Sequence, residues 1–126
     1  MPQLAAIGIV SSDLEESLRF YRLLGIDVPE PEGGHHEVTL PNGLRLMWDT
    51  EDVIRSFEAE WQRVEGNVVA LAFECLSPVE VDETYRRVVE AGFPGRKEPW
   101  DAVWGQRYAQ VSDPDGTPVD LFAALG

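Results

Sequence analysis

With 126 residues, 44% of them apolar, the chain has enough hydrophobic surface for one domain-sized core and too little length for two full ones. Twenty-three Asp and Glu against ten Lys and Arg leave a formal charge of −13. A surface that negative repels phosphate, which argues against nucleic acid and anionic membrane as partners; it either favours cationic or weakly basic small molecules or serves solubility alone. A lone cysteine, Cys75, excludes an internal disulfide and a cysteine-rich metal site. No apolar run approaches the roughly 18 residues of a membrane span, and no basic segment precedes an apolar stretch at the N-terminus, so a cytoplasmic location is expected.

Ala5 to Val10 is a short apolar run that predicts a strand. Ser12-Asp13-Leu14-Glu15 then has the spacing of a capping box. Leu14, Leu18, Tyr21 and Leu24 recur at helical intervals up to Gly25, a residue suited to the position that ends a helix. His36 to Leu40 alternates, Pro41-Asn42-Gly43 turns and Leu44 to Trp48 runs back, which reads as a hairpin. From Glu51 to Glu65, Ile54, Phe57, Trp61 and Val64 share one helical face and predict an amphipathic connector, serving as plain packing, a lid or a dimer contact.

The order then repeats. Val68 to Cys75 reads as a strand, Ser77-Pro78 as a helix start with Glu80 three residues after the cap, and Gly92 as its stop. Val81, Tyr85 and Val88 form the apolar stripe of that helix. A loop is expected next, then a strand over Arg107 to Val111, the turn Asp113-Pro114-Asp115-Gly116, and a strand over Val119 to Phe122. Both halves therefore read β-α-β-β with room for one more strand. This predicts a duplicated α+β module in a single domain 1–126: module one over about 1–50, the connector 51–66 and module two over about 67–126.

Strand alternation sorts the side chains. Val69, Leu71 and Phe73 oppose Ala70, Ala72 and Glu74; Ile7 and Ile9 oppose Ala6 and Gly8; Val119 and Leu121 oppose Asp120 and Phe122. On the first hairpin Arg45, Met47 and Asp49 fall opposite Trp48. The large set is expected under the helices. Ala6, Gly8, Arg45, Met47, Asp49, Ala70, Ala72, Glu74, Asp120 and Phe122 are then the expected lining of a ligand cavity. Trp100 and Trp104 lie in Pro99 to Gly105, outside any periodic segment, and are expected either to wall a flat ligand or to plug the end of a sheet. Asp49, Glu74, Asp101 and Asp120 are candidates to hold a cationic group beside those rings. The chain carries no G-x-S-x-G and no phosphate-cradling glycine loop, and Glu74 with Asp120 as an acid/base pair barely rises above the background of so many carboxylates.

Three stretches, in order over nearly the whole chain, resemble the vicinal-oxygen-chelate superfamily of glyoxalase I, extradiol dioxygenases, fosfomycin-resistance enzymes and bleomycin-resistance proteins. They are Ile9-Val10-Ser11-Ser12-Asp13-Leu14-Glu15-Glu16-Ser17-Leu18-Arg19-Phe20-Tyr21 with Gly25, then Leu71-Ala72-Phe73-Glu74, then Asp113-Pro114-Asp115-Gly116 to Asp120-Leu121-Phe122. The resemblance implies paired βαβββ modules whose mixed sheets curve around a cleft, commonly in a homodimer. It also implies metal positions: a His or Gln on the first strand, a Glu on the first hairpin, a His on the second module's first strand and a Glu after the last turn. Here they map to Ala6, Met47 (Arg45 if the hairpin slips by a pair), Ala70 and Asp120. Two alanines and a methionine give a divalent ion no oxygen or imidazole donor, so no metal or other cofactor is expected. The chain looks closest to the metal-free bleomycin-resistance branch. That likeness implies a protein that sequesters an aromatic antibiotic, cationic or neutral, without catalysis. The alternatives are a metal-dependent lyase, isomerase or dioxygenase of the same superfamily, or a degenerate member serving only as an interaction module.

Overall fold

Hydrogen bonding between strands sorts the chain into two mixed sheets, one in each half. The structure, a computed structural model, describes residues 1–28, 30, 33–64, 66 and 69–126. The chain forms two compact units, Met1–Val64 and Glu65–Gly126.

In the first unit β1 (Ala6–Ser11) leads to α1 (Leu14–Leu23), followed by β2 (His35–Thr39), β3 (Arg45–Thr50) and α2 (Glu51–Phe57). The sheet order is β1-β3-β2, with β1 parallel to β3 and β2 antiparallel to it. Asp13, not Ser12, starts α1: its Oδ1 accepts from the Glu16 N–H at 3.2 Å, so the cap sits one residue later than the capping-box spacing suggests. Leu18, Phe20 and Tyr21 of α1 are wholly buried, each side chain contributing about 1.5–3 kcal/mol of apolar transfer. Beneath them lie Ile9, Ser11, Leu46, Trp48 and His36, with the Tyr21 and Trp48 rings 5.3 Å apart. Leu24 caps the helix half-buried, and Gly25 takes the left-handed φ of 91° that a side chain would resist.

The expected connector helix is corrected by the structure. Thr50 caps α2 through its Oγ1, but the helix ends at Phe57 instead of Glu65, and Glu65 lies outside the described residues. Phe57 and Val64 are 73% and 77% exposed, so the stripe of Ile54, Phe57, Trp61 and Val64 is not a buried face. The cause is a competing set of contacts. Arg55 and Arg63 lie over the Trp61 ring at 5.2 and 5.5 Å, and Arg63 is tied to Glu51 at 2.7 Å and to the Val10 carbonyl at 3.2 Å. These bonds fold the segment back onto the first unit.

In the second unit β4 (Leu71–Glu74) precedes α3 (Pro78–Glu90), and β5 (Gly95–Ala102), β6 (Gln106–Ser112) and β7 (Pro118–Ala124) follow. The sheet order is β4-β7-β6-β5, with β4 parallel to β7 and the other pairs antiparallel. Ser77 Oγ accepts from the Glu80 N–H at 3.2 Å, Pro78 occupies the first turn, and Glu80 reaches back to the Leu76 N–H at 3.3 Å. Val81, Thr84 and Val88 are buried against a sheet face carrying Val111, Val119 and Leu121. The strand predicted over Val68 to Cys75 is shorter. Val68 is outside the described residues, while Val69 and Ala70 precede β4, and Val69 is exposed instead of sharing the core with Leu71.

The expected loop after α3 is also corrected, since Gly95 to Ala102 is strand β5, and Trp100 stands on it. Its sequence hides this because β5 is an edge strand with two register irregularities, a proline and a polar run, so no alternation shows. The second unit thus presents the full β-α-β-β-β order, while the described residues of the first carry β-α-β-β and α2. Among the described residues no helix is long and apolar enough to cross a membrane.

Candidate functional site

Residues paired across strands share a face, so the register of the second sheet defines two rows of side chains on the side away from α3. One row runs Glu74, Phe122, Tyr108, Trp100, and the next runs Ala72, Asp120, Gln110, Lys97. Predicted residues Ala72, Glu74, Asp120, Phe122 and Trp100 therefore come together on one face, and Ala70 lies just before it. Trp104 sits in the β5–β6 turn, closed by the Gly105 N–H to the Ala102 carbonyl at 3.0 Å, with Gly105 at a φ of 89°. Its Nε1 donates to Gln106 Oε1 at 3.0 Å.

Aromatic rings dominate this face. Trp100, Trp104 and Tyr108 meet edge to face, with centroids 6.0 Å (Trp100–Trp104), 5.5 Å (Trp100–Tyr108) and 5.3 Å (Trp104–Tyr108) apart and planes 88°, 66° and 82° to one another. They form three walls of a corner. Phe122 extends the surface, stacked on Tyr108 at 6.2 Å. Edge-to-face pairs of this kind contribute about 0.5–1.5 kcal/mol each beyond area burial, so the corner holds its shape.

Polar groups sit beside the rings. Tyr108 donates its hydroxyl to Asp120 Oδ2 at 2.6 Å, and Gln110 donates to Asp120 Oδ1 at 3.2 Å. Burial, then the bond to Asp120, pushes the Tyr108 phenol up to about 12, so it stays a neutral donor. Lys97 Nζ lies 3.9 Å from the Trp100 centroid. Asp101, predicted as a cation holder, is instead bonded to Arg107 at 2.6 Å, and Arg107 also binds Asp82 at 2.8 Å. Tyr108, Gln110 and Lys97 escaped the sequence reading. Counting back through the Asp113–Gly116 turn from Phe122 and Asp120 finds Tyr108 and Gln110; Lys97 is hidden by the β5 irregularity.

The other five predicted residues share the open face of the first sheet. Ala6 pairs with Arg45, Gly8 with Met47 and Val10 with Asp49, and β2 adds Thr39, Glu37 and His35. Charges alternate along it: Asp49 Oδ1 to His35 Nδ1 at 2.5 Å, His35 Nε2 to Glu37 at 3.6 Å, and Glu37 to Arg45 at 3.2 Å. The hydrogen bond to Asp49, reinforced by the charge of Glu37, raises the His35 pKa against a smaller opposing effect of burial. His36 is buried on the opposite face, as strand alternation requires.

The positions that would hold a metal do not fit one. Ala6 and Ala70 end in methyl groups, Met47 offers a thioether, and both oxygens of Asp120 already accept hydrogen bonds. Among the described residues no group of three His, Cys, Asp or Glu is placed to hold a metal ion.

A β-α-β-β-β unit preceded by a second unit of β-α-β-β order, with the candidate positions on open sheet faces, defines the architecture of a glyoxalase-like protein. The chain belongs to the Glyoxalase/Bleomycin resistance protein/Dioxygenase superfamily, whose family model matches residues 3–121. It is similar to a solved glyoxalase/bleomycin resistance protein/dioxygenase from Nocardioides, 29% identical with a TM-score of 0.76 over 99% of this chain and 85% of that one. A family enzyme from Burkholderia phytofirmans shares the fold at 16% identity and a TM-score of 0.86, covering 98% of this chain and all, 100%, of that one. A glyoxalase-related enzyme from Fulvimarina pelagi does so at 23% and 0.83, covering 98% and 88%. No curated protein matches the chain.

Proposed function

We propose that the aromatic face of the second unit binds a planar small molecule and that the protein acts by sequestering it, without metal and without turnover, an antibiotic being the compound in view. The corner formed by Trp100, Trp104 and Tyr108 carries this reading. Three rings set at steep angles offer one wall for stacking and two for edge contacts, while Phe122 continues the apolar floor. Trp104 remains 57% exposed, which leaves its surface for a ligand. A basic group on the ligand would meet Glu74 at the β4 end, in keeping with the acidic composition. Protection then follows from mass action, free drug being held low wherever binding sites outnumber it and exceed its dissociation constant. In the same reading the protein works in the cytoplasm as a homodimer, the second copy covering free sheet edges, and light scattering at micromolar concentration should return twice the chain mass.

The test is tryptophan emission titrated with a panel of planar antibiotics. A binder should quench saturably, one molecule per chain, by way of Trp100 and Trp104, while wholly buried Trp48 stays bright. A panel that leaves the emission unchanged at millimolar concentration removes the reading.

A further inference from the structure

We propose that Lys97 reads an anionic substituent on the ligand of this face, so that the compound taken is a planar aromatic acid: a fused ring bearing a carboxylate or sulfonate. This assignment rests on the aromatic-site reading above and narrows its ligand class.

The first observation is the strand irregularity. From Lys97 to Trp100 is three residues on β5, whereas their partners Gln110 and Tyr108 are two apart on β6. In a regular strand an odd separation puts two side chains on opposite faces. The register shift between Lys97 and Trp100 returns both to the same face. Such bulges re-aim side chains and gather beside functional sites. Here the result is an ammonium 3.9 Å from the Trp100 centroid, at the rim of the three-ring corner.

The second observation is what surrounds that ammonium. The indole face attracts it electrostatically but takes none of its charge, so the group keeps N–H donors for a further partner. Among the described residues Lys97 has no carboxylate partner. Asp101 is engaged with Arg107 and Asp120 with Tyr108 and Gln110, while exposed Glu98, the next residue on β5, forms no ion pair with Lys97 among the described residues. The chain's charge of −13 acts over distances that salt screens within about 8–10 Å, whereas a ligand against Trp100 would touch Lys97 directly. At contact the lysine therefore outweighs the field. A cation placed there meets like charge, and a carboxylate completes a charge-assisted hydrogen bond.

Two probes with one ring system and opposite charge test this: acridine-9-carboxylate and 9-aminoacridine, titrated against wild type, Lys97→Met, Lys97→Arg and Trp104→Ala. Wild type should bind the carboxylate more tightly, with an affinity that falls as salt is raised. Lys97→Met should weaken the carboxylate about tenfold and leave the amine within about twofold or tighten it. Lys97→Arg should restore most of the loss. Equal weakening of both probes by Lys97→Met would mean that the lysine stem only packs, and the assignment fails. No effect on either, with Trp104→Ala abolishing both, keeps the aromatic site and overturns the role of Lys97. Wild type binding neither probe overturns the aromatic site and this assignment together.

Discussion

Replacing Trp104 by Ala separates a binding surface from a structural plug. The ring is 57% exposed, so somewhat under half of its surface is covered. That is about 100 Å², on the scale of the 150–250 Å² a large aromatic buries. At about 25 cal/mol per Å² the covered part contributes at most ~2.5 kcal/mol, and the alanine retains a fraction of it. The hydrogen bond from Nε1 to Gln106 is exposed and adds little. A loss of about 1–2 kcal/mol of stability is therefore expected, with the second unit's core of Val81, Val88, Val111, Val119 and Leu121 untouched. A ligand seated in the corner loses one of its three walls, about 1–3 kcal/mol or roughly 5- to 150-fold in affinity. Urea unfolding followed by circular dichroism reads the first quantity, and calorimetric titration of a ligand that wild type binds reads the second. Unfolding of the variant would make the ring a plug. An intact fold with unchanged affinity would put the binding site elsewhere.

Three other perturbations are specified by the geometry. Asp120→Asn keeps an acceptor for the Tyr108 hydroxyl but removes the charge, so the phenol should fall from about 12 partway toward 10, burial still holding it up. Because the folded pKa lies above the unfolded one, the associated stability is present below about pH 10 and lost as pH rises toward 12, and an unchanged ultraviolet phenolate titration would refute this. His35 likewise titrates above 6.5 through Asp49, so its stabilisation is full below that pH and disappears as pH rises through the raised value. Asp49→Asn should lower the His35 midpoint in a proton NMR titration, and a midpoint that stays put would break the pair. Trp48 is wholly buried, and its Nε1 has no hydrogen-bond partner among the described residues. Trp48→Phe removes an orphan donor costing about 1–3 kcal/mol while giving up about 1–2 kcal/mol of packing, so it should unfold within about 1 kcal/mol of wild type, against about 3–5 for Trp48→Ala. A loss above about 3 kcal/mol for the Phe variant would mean that the indole N–H is satisfied.

Legibility followed the strength of the local signal. Ser77-Pro78 with Glu80 marked the start of α3 to the residue, and Gly92 stands just past its Ala91 C-cap, because cap, first turn and stop are each set by neighbours in sequence. At α1 the capping-box spacing pointed to Ser12, whereas Asp13, in extended backbone one residue later, caps the helix. Alternation put Ile9, Trp48, Leu71, Val119 and Leu121 on the helix side, where burial places them. It failed for Val69, which stands before its strand, and helical spacing failed for the Ile54, Phe57, Trp61 and Val64 stripe, where two arginines lie over the Trp61 ring. Periodicity registers apolar residues at helical spacing but is blind to a cation that a ring prefers over a neighbouring turn.

The site residues divide along the same line, and the division bears on charge. Composition places twenty-three acidic side chains on this chain, and from that number alone a cationic ligand is the natural expectation. Pairing decides which of those charges a ligand can feel. Asp101 answers to Arg107, Asp120 to Tyr108 and Gln110, and Asp49 to His35. On the second sheet the row Glu74, Phe122, Tyr108, Trp100 leaves one exposed carboxylate at the β4 end, and the next row leaves an ammonium at the β5 end. Three strand spacings of about 4.8 Å separate those ends, roughly 14 Å, a span that a fused ring system with substituents at both ends covers. The long-range field would then govern how fast a basic group is drawn in, and the two ends of the face would govern which compound stays. Raising salt should slow association of a basic ligand more than it hastens its release. Exchanging Glu74 or Lys97 for a neutral residue should alter release above all.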